Sequence, residues 1–181
     1  MDHQDHVNLL RAGVPGPGGV WADLGAGTGA FTLALAELLG PEGEIYAVDK
    51  DARALRRQEQ AMRAHFPEVT VHYRAADFRE RLDLPPLDGA VMANSLHFQR
   101  DKGRVVGLVR SYLRPGGRLI LVEYDTDRGN AWVPYPMSHK SWQEVARRSG
   151  LVGTTLLARR PSRFLGHIYS AQSLVPETEE G

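Results

Sequence analysis

Three glycines at alternate positions form the feature that most constrains the fold of this chain. Gly25, Gly27 and Gly29 lie in the stretch ADLGAGTG, directly after an apolar run at residues 20–24. Apolar side chains then recur at helical spacing over residues 30–39, so the pattern predicts a strand that turns into a helix. Glycine has no Cβ and tolerates a positive φ, so its backbone can turn tightly and lie against a ligand. The stretch predicts a ligand-binding turn, although glycines alone also make simple sharp turns.

Apolar runs and amphipathic segments alternate along the rest of the chain. Such alternation implies parallel strands joined by right-handed crossovers, in a sheet that helices cover on both faces. The last two runs flank Arg160-Pro161-Ser162 and predict an antiparallel hairpin. The fold class is therefore α/β: a Rossmann-like, doubly wound sheet of seven strands, mostly parallel. The predicted strands are 20–24, 45–48, 69–73, 87–93, 119–122, 151–158 and 164–171, and the predicted helices are 30–39, 51–66, 101–113 and 141–149.

Local signals set two of these boundaries. The helix at 141–149 is expected to begin with a Ser-x-x-Glu capping box formed by Ser141 and Glu144. The strand at 119–122 follows the stretch Pro-Gly-Gly at 115–117, which predicts a turn before the strand.

The length suits one domain, because the chain has 181 residues and a domain holds about 100–200. We expect a single domain over residues 1–181. It is divided into an N-terminal segment at 1–18 that forms a partial lid, a core at 19–174 and a flexible tail at 175–181. Ligands of such sheets bind beyond the carboxyl ends of the strands, which is where the glycine turn lies.

Charge and composition weigh against several functions. Lys and Arg number 22 and Asp and Glu also 22, so no global basic field would attract nucleic acid or an anionic membrane. Cysteine is absent, which removes disulfides and thiolate metal sites. No metal is expected at His3 and His6 on the N-terminal segment.

The acidic N-terminus lacks the apolar core of a signal peptide, and no stretch approaches the roughly 20 apolar residues of a membrane span. A cytoplasmic location is expected.

A carboxylate at the end of the second strand indicates a nucleoside ligand. Asp49 follows Ile45-Tyr46-Ala47-Val48 and lies 20 residues after Gly29, where an acid can accept both hydroxyl hydrogens of a ribose. Two cofactor classes share this arrangement. With Ala30 as the last position, the turn also satisfies the relaxed dinucleotide fingerprint of an NAD(P)-binding oxidoreductase. However, the one Tyr-x-x-x-Lys pair, Tyr46 with Lys50, lies in a buried strand and is unsuited to reductase chemistry.

Five segments extend this pattern over nearly the whole chain. They are WADLGAGTGAFTLALAELLG, IYAVDKD, RAADF, LDGAVMANSLHF and YLRPGGRLILVEYD. Their order and spacing resemble those of class I S-adenosylmethionine-dependent methyltransferases, closest to the small-molecule type. The resemblance runs from about residue 8 to residue 174. It implies S-adenosylmethionine as the cofactor, S-adenosylhomocysteine as the product and a small-molecule acceptor.

The resemblance assigns cofactor contacts to residues at several strand ends. Asp23 and the glycine turn would hold the methionine end, Asp49 would bind the ribose, and Asp77 would accept a hydrogen bond from the adenine amino group. Other interpretations remain: Asp77 could be only an N-cap, and the residues after strand four could form a simple turn. The implied cofactor residues are Asp23, Gly25, Ala26, Gly27, Gly29, Asp49, Lys50, Ala76, Asp77, Phe78, Asn94, Ser95 and Leu96.

The acceptor side of the site is predicted after strands four and five. His97 follows strand four, and histidine is the side chain suited to general-base catalysis near neutral pH, so it is the candidate general base, although a histidine packed at a strand end is often structural. Trp132, Tyr135, His139 and Tyr124 are the candidate substrate-binding residues, because loops after strand five overhang the methyl group in this family. Trp132 and Tyr135, with Trp142, could line a flat pocket, or these aromatic residues could simply cover the end of the strand.

Two further questions stay open at this point. A domain that binds S-adenosylmethionine or S-adenosylhomocysteine as a sensor or partner subunit, without catalysis, would carry the same cofactor residues. The N-terminal segment is also shorter than the helical lid of many relatives. A helix at residues 4–12 could half-cover the cofactor, or a second subunit of a homodimer could close the pocket.

Overall fold

Strands and helices alternate from the glycine turn onward, as the apolar pattern predicts. The computed structural model of the chain describes residues 1–177. The helices are α1 (His3–Leu10), α2 (Ala30–Leu39), α3 (Ala52–His65), α4 (Lys102–Arg110) and α5 (His139–Arg148). The strands are β1 (Gly19–Leu24), β2 (Gly43–Asp49), β3 (Thr70–Ala75), β4 (Leu87–Ala93), β5 (Leu113–Tyr124), β6 (Val152–Pro161) and β7 (His167–Leu174).

All seven strands form one sheet in the order β3-β2-β1-β4-β5-β7-β6. Strands β1 to β5 pair in parallel, and β7 is antiparallel to both β5 and β6. The fold class predicted from the sequence is confirmed. Strand order reverses between β1 and β4, so the carboxyl ends of these two strands flank the crevice in which sheets of this kind bind ligands.

Two apolar layers cover the sheet. One face packs mainly against α1 and α2 around Leu35 and Ile120, and the other packs against α4 and α5 around Val106 and Trp142. Trp21 of β1 is 1% exposed, and its indole lies where a side chain on Gly89 of β4 would project. Glycine at position 89 therefore makes room for the tryptophan in the core.

Gly89→Ala is expected to destabilise the protein by about 1–3 kcal/mol, because an added methyl group must displace the Trp21 ring in a closely packed interior. The check is chemical denaturation monitored by tryptophan fluorescence. Gly107→Ala in α4 is the matched control, because a Cβ there meets no atom within 4 Å. The control should raise stability by about 0.5–1 kcal/mol through better helix propensity. Equal effects at the two positions would contradict the packing argument.

Several predicted boundaries were wrong. The helix predicted over 101–113 ends at Arg110, and the strand predicted over 164–171 begins at His167. The last helix begins at His139, and its cap is Ser138, whose Oγ accepts from the backbone N–H of Ser141 at 3.2 Å. Asp127 anchors that cap, since its carboxylate accepts from both the backbone and the hydroxyl of Ser138. Glu144 instead binds Arg147 and Arg148 on the surface of the helix. A tertiary contact, not the local capping box, sets this helix start.

The stretch Pro-Gly-Gly lies inside β5 and not before it. Leu113 pairs with Leu87, and the next paired residue, Arg118, is opposite Gly89, so the intervening residues bulge out of the ladder. Gly116 has a φ of 73°, which permits the bulge. Beyond residue 174, Val175 exchanges backbone hydrogen bonds with Gly116 and Gly117 of the bulge. The rest of the predicted flexible tail, residues 178–181, lies outside the described residues.

No helix within residues 1–177 combines the length and the apolar character that crossing a bilayer requires.

Candidate cofactor and active site

The glycine turn connects β1 to α2 with three left-handed residues. The φ angles of Gly25, Gly27 and Gly29 are 82°, 55° and 95°. A Cβ on Gly25 would lie 2.5 Å from the Cβ of Ser95, and one on Gly29 would collide with Gln58, so packing alone requires these two glycines. A Cβ on Gly27 would meet nothing within 4 Å. The middle of the turn therefore faces open space that a ligand can approach.

Asp49 lies at the carboxyl end of β2 and supports the same turn. Its Oδ2 accepts the backbone N–H of Gly27 at 2.8 Å, and its Oδ1 accepts that of Asp51 at 2.8 Å. The backbone N–H groups of Gly25 and Ala26 both donate to the carbonyl of Val48, the residue before Asp49. Hydrogen bonds from the glycine turn thus fix the position of the predicted ribose-binding carboxylate. The turn and Asp49 would contact the same ligand.

A cavity of about 400 Å³ opens beside Asp49 and the glycine turn. Its size lies within the roughly 300–1,000 Å³ range typical of small-molecule sites. The predicted cofactor residues that line it are Gly25, Asp49, Lys50, Ala76, Asp77, Phe78, Asn94 and Ser95. Three further lining residues, Arg79, Phe98 and Gln99, were missed by the sequence analysis. They follow predicted residues in loops, where no periodic pattern signals which side chains face a ligand.

The remaining predicted cofactor residues lie around the cavity without lining it. Ala26, Gly27 and Gly29 belong to the adjoining turn, and Asp23 is buried beneath it. Leu96 is fully buried in the core on the α4 and α5 side of the sheet. Only the backbone of Leu96 is therefore available to a ligand.

Asp77 forms an ion pair with one of the missed residues. The Nε of Arg79 lies 2.9 Å from Oδ2 of Asp77, and the backbone N–H of Arg79 donates to Oδ1. Hydrogen bonding from this guanidinium lowers the pKa of the Asp77 carboxyl. A turn follows, in which the N–H of Glu80 donates to the carbonyl of Asp77. Asp77 therefore caps a turn and, on the cavity side, offers an ionised acceptor.

A buried polar chain begins at Asp23, which is 1% exposed. The hydroxyl of Thr32 donates to Oδ2 of Asp23 at 2.7 Å, and the side-chain amide of Gln58 donates to the Thr32 hydroxyl. Burial raises the pKa of Asp23 to about 7, and the charge of Asp49 acts in the same direction. Thr32 and Gln58 were not predicted as site residues, because they lie on α2 and α3, whose sequences resemble ordinary core-packed helices.

Asn94 follows β4 in an uncommon conformation. Its φ of 51° lies in the left-handed region, which asparagine tolerates better than most residues. Its Oδ1 is buried and accepts no hydrogen bond from the described residues, although the residue lines the cavity. A buried acceptor without a partner is costly unless a ligand supplies the donor. The cavity therefore suits a ligand that carries an N–H group, such as the ammonium of S-adenosylmethionine.

His97 pairs with a residue that the sequence analysis missed. His97 is 3% exposed, and its Nδ1 lies 3.0 and 3.1 Å from the two carboxylate oxygens of Glu123. Glu123 is fully buried near the end of β5, where its Oε1 also accepts the backbone N–H of Tyr124 at 2.7 Å. The sequence signal for Glu123 was an acidic residue at the end of an otherwise apolar run, LILVE at residues 119–123. Glu123 can therefore keep Nδ1 of His97 as the ring nitrogen that donates a hydrogen bond.

The predicted substrate-binding residues do not converge on one surface. Trp132 is 76% exposed at a loop tip, and Tyr135 is 42% exposed with its backbone N–H on the carbonyl of His97. His139 begins α5, and its buried Nε2 has no partner among residues 1–177. Tyr124 packs near the buried pair, with its ring centroid 6.1 Å from that of His97. Trp142 is fully buried in the core and does not line a flat pocket.

Comparison with known proteins identifies the fold and the family. A family model described as "Methyltransferase domain" matches residues 17–161. The chain belongs to this family. It is a methyltransferase domain of the S-adenosylmethionine-dependent class, and the nicotinamide alternative is set aside.

Curated relatives match part of the methyltransferase domain. A probable cobalt-precorrin-6B C(15)-methyltransferase (decarboxylating) of Methanothermobacter thermautotrophicus is 32% identical over 108 residues, which cover 59% of this chain and 53% of the relative. A 2-phytyl-1,4-naphtoquinone methyltransferase of Trichormus variabilis is 30% identical over 112 residues, covering 60% and 48%. The chain therefore spans about half the length of these relatives.

Solved structures share the fold at low identity. One is the 1,6-didemethyltoxoflavin-N1-methyltransferase of Burkholderia thailandensis, solved with bound 1,6-didemethyltoxoflavin and S-adenosylhomocysteine. It matches this chain with a TM-score of 0.75 and 20% sequence identity. The match covers 97% of this chain and 78% of that one.

Proposed function

We propose that this domain transfers a methyl group from S-adenosylmethionine to a small molecule whose C–H or O–H proton is removed by His97. The observation that carries the proposal is the buried hydrogen bond from His97, which follows β4, to Glu123 near the end of β5. Phe98, the residue after His97, lines the cofactor cavity. The curated relatives named as acting on a naphthoquinone and on cobalt-precorrin support a small-molecule acceptor.

The cavity residues would hold the cofactor along its length. Asp49 would bind the ribose, Asp77 and Phe78 the adenine, and the orphaned Oδ1 of Asn94 the methionine ammonium. When bound, the cofactor supplies a methyl group whose bond to sulfur breaks as the acceptor's electron pair forms the new bond. The glycine turn, fixed by Asp49, would hold the cofactor in one orientation, and orientation can supply a large part of the rate of such displacements.

Glu123 would determine which tautomer of the His97 ring is present. A carboxylate that accepts the Nδ1–H keeps the other ring nitrogen, Nε2, as the basic one. Nε2 forms no hydrogen bond among residues 1–177, so its lone pair is free to take the acceptor's proton. Glu123 then stabilises the imidazolium that forms, as the carboxylate does in other histidine-based sites.

A non-catalytic domain that binds the cofactor as a sensor is the second candidate. Such a domain needs the cavity but not a buried ion-pairing histidine, which costs desolvation energy unless it serves a purpose. The His97–Glu123 pair therefore favours the enzyme.

The homodimer stays a prediction, as do the N-terminal lid and the division into one domain. In the structure α1 packs along α2, with the His6 ring 4.8 Å from that of Phe31 near the start of α2.

Asp49→Ala is expected to weaken binding of S-adenosylhomocysteine roughly 10- to 100-fold, because the change removes a charged acceptor worth about 1.5–3 kcal/mol. Calorimetric titration of the purified protein measures this, with NAD and NADP run beside it. Asp51→Ala is the control, since this neighbouring carboxylate caps α3 and does not line the cavity. Unchanged affinity in Asp49→Ala would refute the ribose assignment, and tight binding of NAD would refute the proposed cofactor.

A further inference from the structure

A large aromatic side chain in the cofactor cavity stays more than half exposed. Phe98 lines the cavity and is 56% exposed, although an apolar side chain of this size gains free energy when it is covered. It is the last residue of a short 3₁₀ turn, Leu96–Phe98, that follows β4. The side chain is therefore available to a ligand that fills the cavity.

Contacts on both sides hold the backbone of Phe98 in place. The carbonyl of His97, the residue before it, accepts the N–H of Tyr135 at 2.9 Å. The carbonyl of Gln99, the residue after it, accepts a hydrogen bond from the ammonium of Lys102 at 3.0 Å. The rings of His97 and Phe98 also pack together, with centroids 4.3 Å apart. The turn thus fixes the backbone of Phe98 and leaves much of its ring uncovered.

The segment after β4 packs directly against the glycine turn. The hydroxyl of Ser95 donates to the carbonyl of Leu24 at 2.9 Å, and a Cβ on Gly25 would collide with the Ser95 side chain. The proposed function puts the methionine end of the cofactor at the glycine turn and the ribose at Asp49. Sulfur joins these two parts of the molecule. It would therefore lie near the part of the cavity that the residues after β4 line, Phe98 among them.

The charges of the cavity lie beyond other strands. Four charged residues line it, they follow β2 and β3, and their formal charges sum to zero: Asp49, Lys50, Asp77 and Arg79. Strand β1 separates β2 from β4 in the sheet. The lining residues after β4 are uncharged: Asn94, Ser95, Phe98 and Gln99. Within residues 1–177, a cation at this end of the cavity would thus meet the ring of Phe98 and neutral polar groups, and no lining carboxylate.

We propose that Phe98 determines cofactor specificity, because its ring attracts the sulfonium of S-adenosylmethionine through a cation–π contact that the neutral thioether of S-adenosylhomocysteine does not make. This inference rests on the proposed function and deepens it. Methyl transfer breaks the bond between methyl and sulfur and leaves its electron pair on sulfur, which becomes uncharged. The contact is therefore present with the methyl donor and lost with the product, so it favours the exchange of product for new cofactor.

Calorimetric titration of the full chain tests this contact without a methyl acceptor. The ligands are S-adenosylmethionine, S-adenosylhomocysteine and sinefungin, an unreactive analogue with a protonated amine in place of the methyl sulfonium. Phe98→Leu should raise the Kd of the two cationic ligands about three- to tenfold more than that of S-adenosylhomocysteine, the scale of a partly desolvated cation–π contact. Phe98→Tyr should keep the wild-type ratios of Kd, since tyrosine retains the aromatic face.

Two matched variants separate this contact from a general loss of affinity. Phe78→Leu removes the aromatic lining residue that the proposed function places against the adenine, so it should weaken all three ligands alike. Phe164→Leu replaces a half-exposed phenylalanine that does not line the cofactor cavity, and each Kd should equal that of the wild type. Binding of S-adenosylhomocysteine by each variant shows that the variant is folded.

Unchanged ratios of Kd in Phe98→Leu would overturn the proposed contact, as would an equal change of these ratios in Phe78→Leu. Failure of all three ligands to bind the wild-type chain would instead overturn the proposed function, and this inference with it.

Discussion

Replacing His97 with alanine is expected to lower kcat/KM for methyl transfer by about 10²–10⁴-fold, which is the usual contribution of a positioned general base. Glu123→Gln should lower it by roughly 10²-fold, because a neutral amide neither holds the imidazole tautomer nor stabilises the imidazolium. The measurement is transfer of a labelled methyl group to an acceptor identified by screening small molecules.

A second histidine–glutamate pair on the same sheet provides the matched control. His72 of β3 lies 2.8 Å from Glu44 of β2, and both side chains are more than one-third exposed. His72→Gln should leave kcat/KM unchanged, since this pair is not at the carboxyl edge of β4 and β5. Because His97 and Glu123 are buried, each variant is also tested for S-adenosylhomocysteine affinity and thermal unfolding. Full activity in a folded His97→Ala variant would leave the proposed base without support.

Replacing Asp23 with asparagine is expected to stabilise the ligand-free protein at pH 8 and to weaken cofactor binding. The pKa of Asp23 is about 7 in the folded protein, against 3.8 for an aspartate in water. A carboxyl whose pKa is raised by folding stabilises the protein fully below its unfolded pKa. That contribution is lost as the pH rises through the folded pKa. The shift corresponds to at most about 4 kcal/mol, at 1.36 kcal/mol per pH unit.

Thermal unfolding between pH 5 and 8.5 measures this effect. The wild-type protein should lose stability relative to Asp23→Asn as the pH approaches 7, and the difference should level off above it. Cofactor affinity should rise over the same interval in the wild type only, because the ionised carboxylate attracts the methionine ammonium. Asp51→Asn is the control, since hydrogen bonds from backbone N–H groups lower the pKa of exposed Asp51. A pH-independent difference between wild type and Asp23→Asn would contradict an ionisation of Asp23 near neutrality.

Local patterns in the sequence predicted most of the fold. Alternating apolar runs placed the seven strands, because burial on a pleated sheet or on one face of a helix imposes its own period on the chain. The spacing from the glycine turn to Asp49 predicted two residues that the structure joins by a hydrogen bond. Eight of the predicted cofactor residues line one cavity because parallel strands bring their carboxyl ends to a single edge.

Contacts between distant segments decided the rest. Glu123 lies 26 positions from His97, and the start of α5 depends on Asp127, 11 positions before Ser138. No local propensity encodes such pairings. The sequence pattern likewise assigned Phe164 to a strand, whereas in the structure it lies between β6 and β7, with its ring centroid 5.7 Å from that of Tyr124. The sequence by itself determined the family fold and the cofactor edge of the sheet, because both follow from local periodicity and spacing. Tertiary packing alone decided which acid holds His97 and which aromatic residues meet beside it, since those contacts exist only once the sheet has assembled.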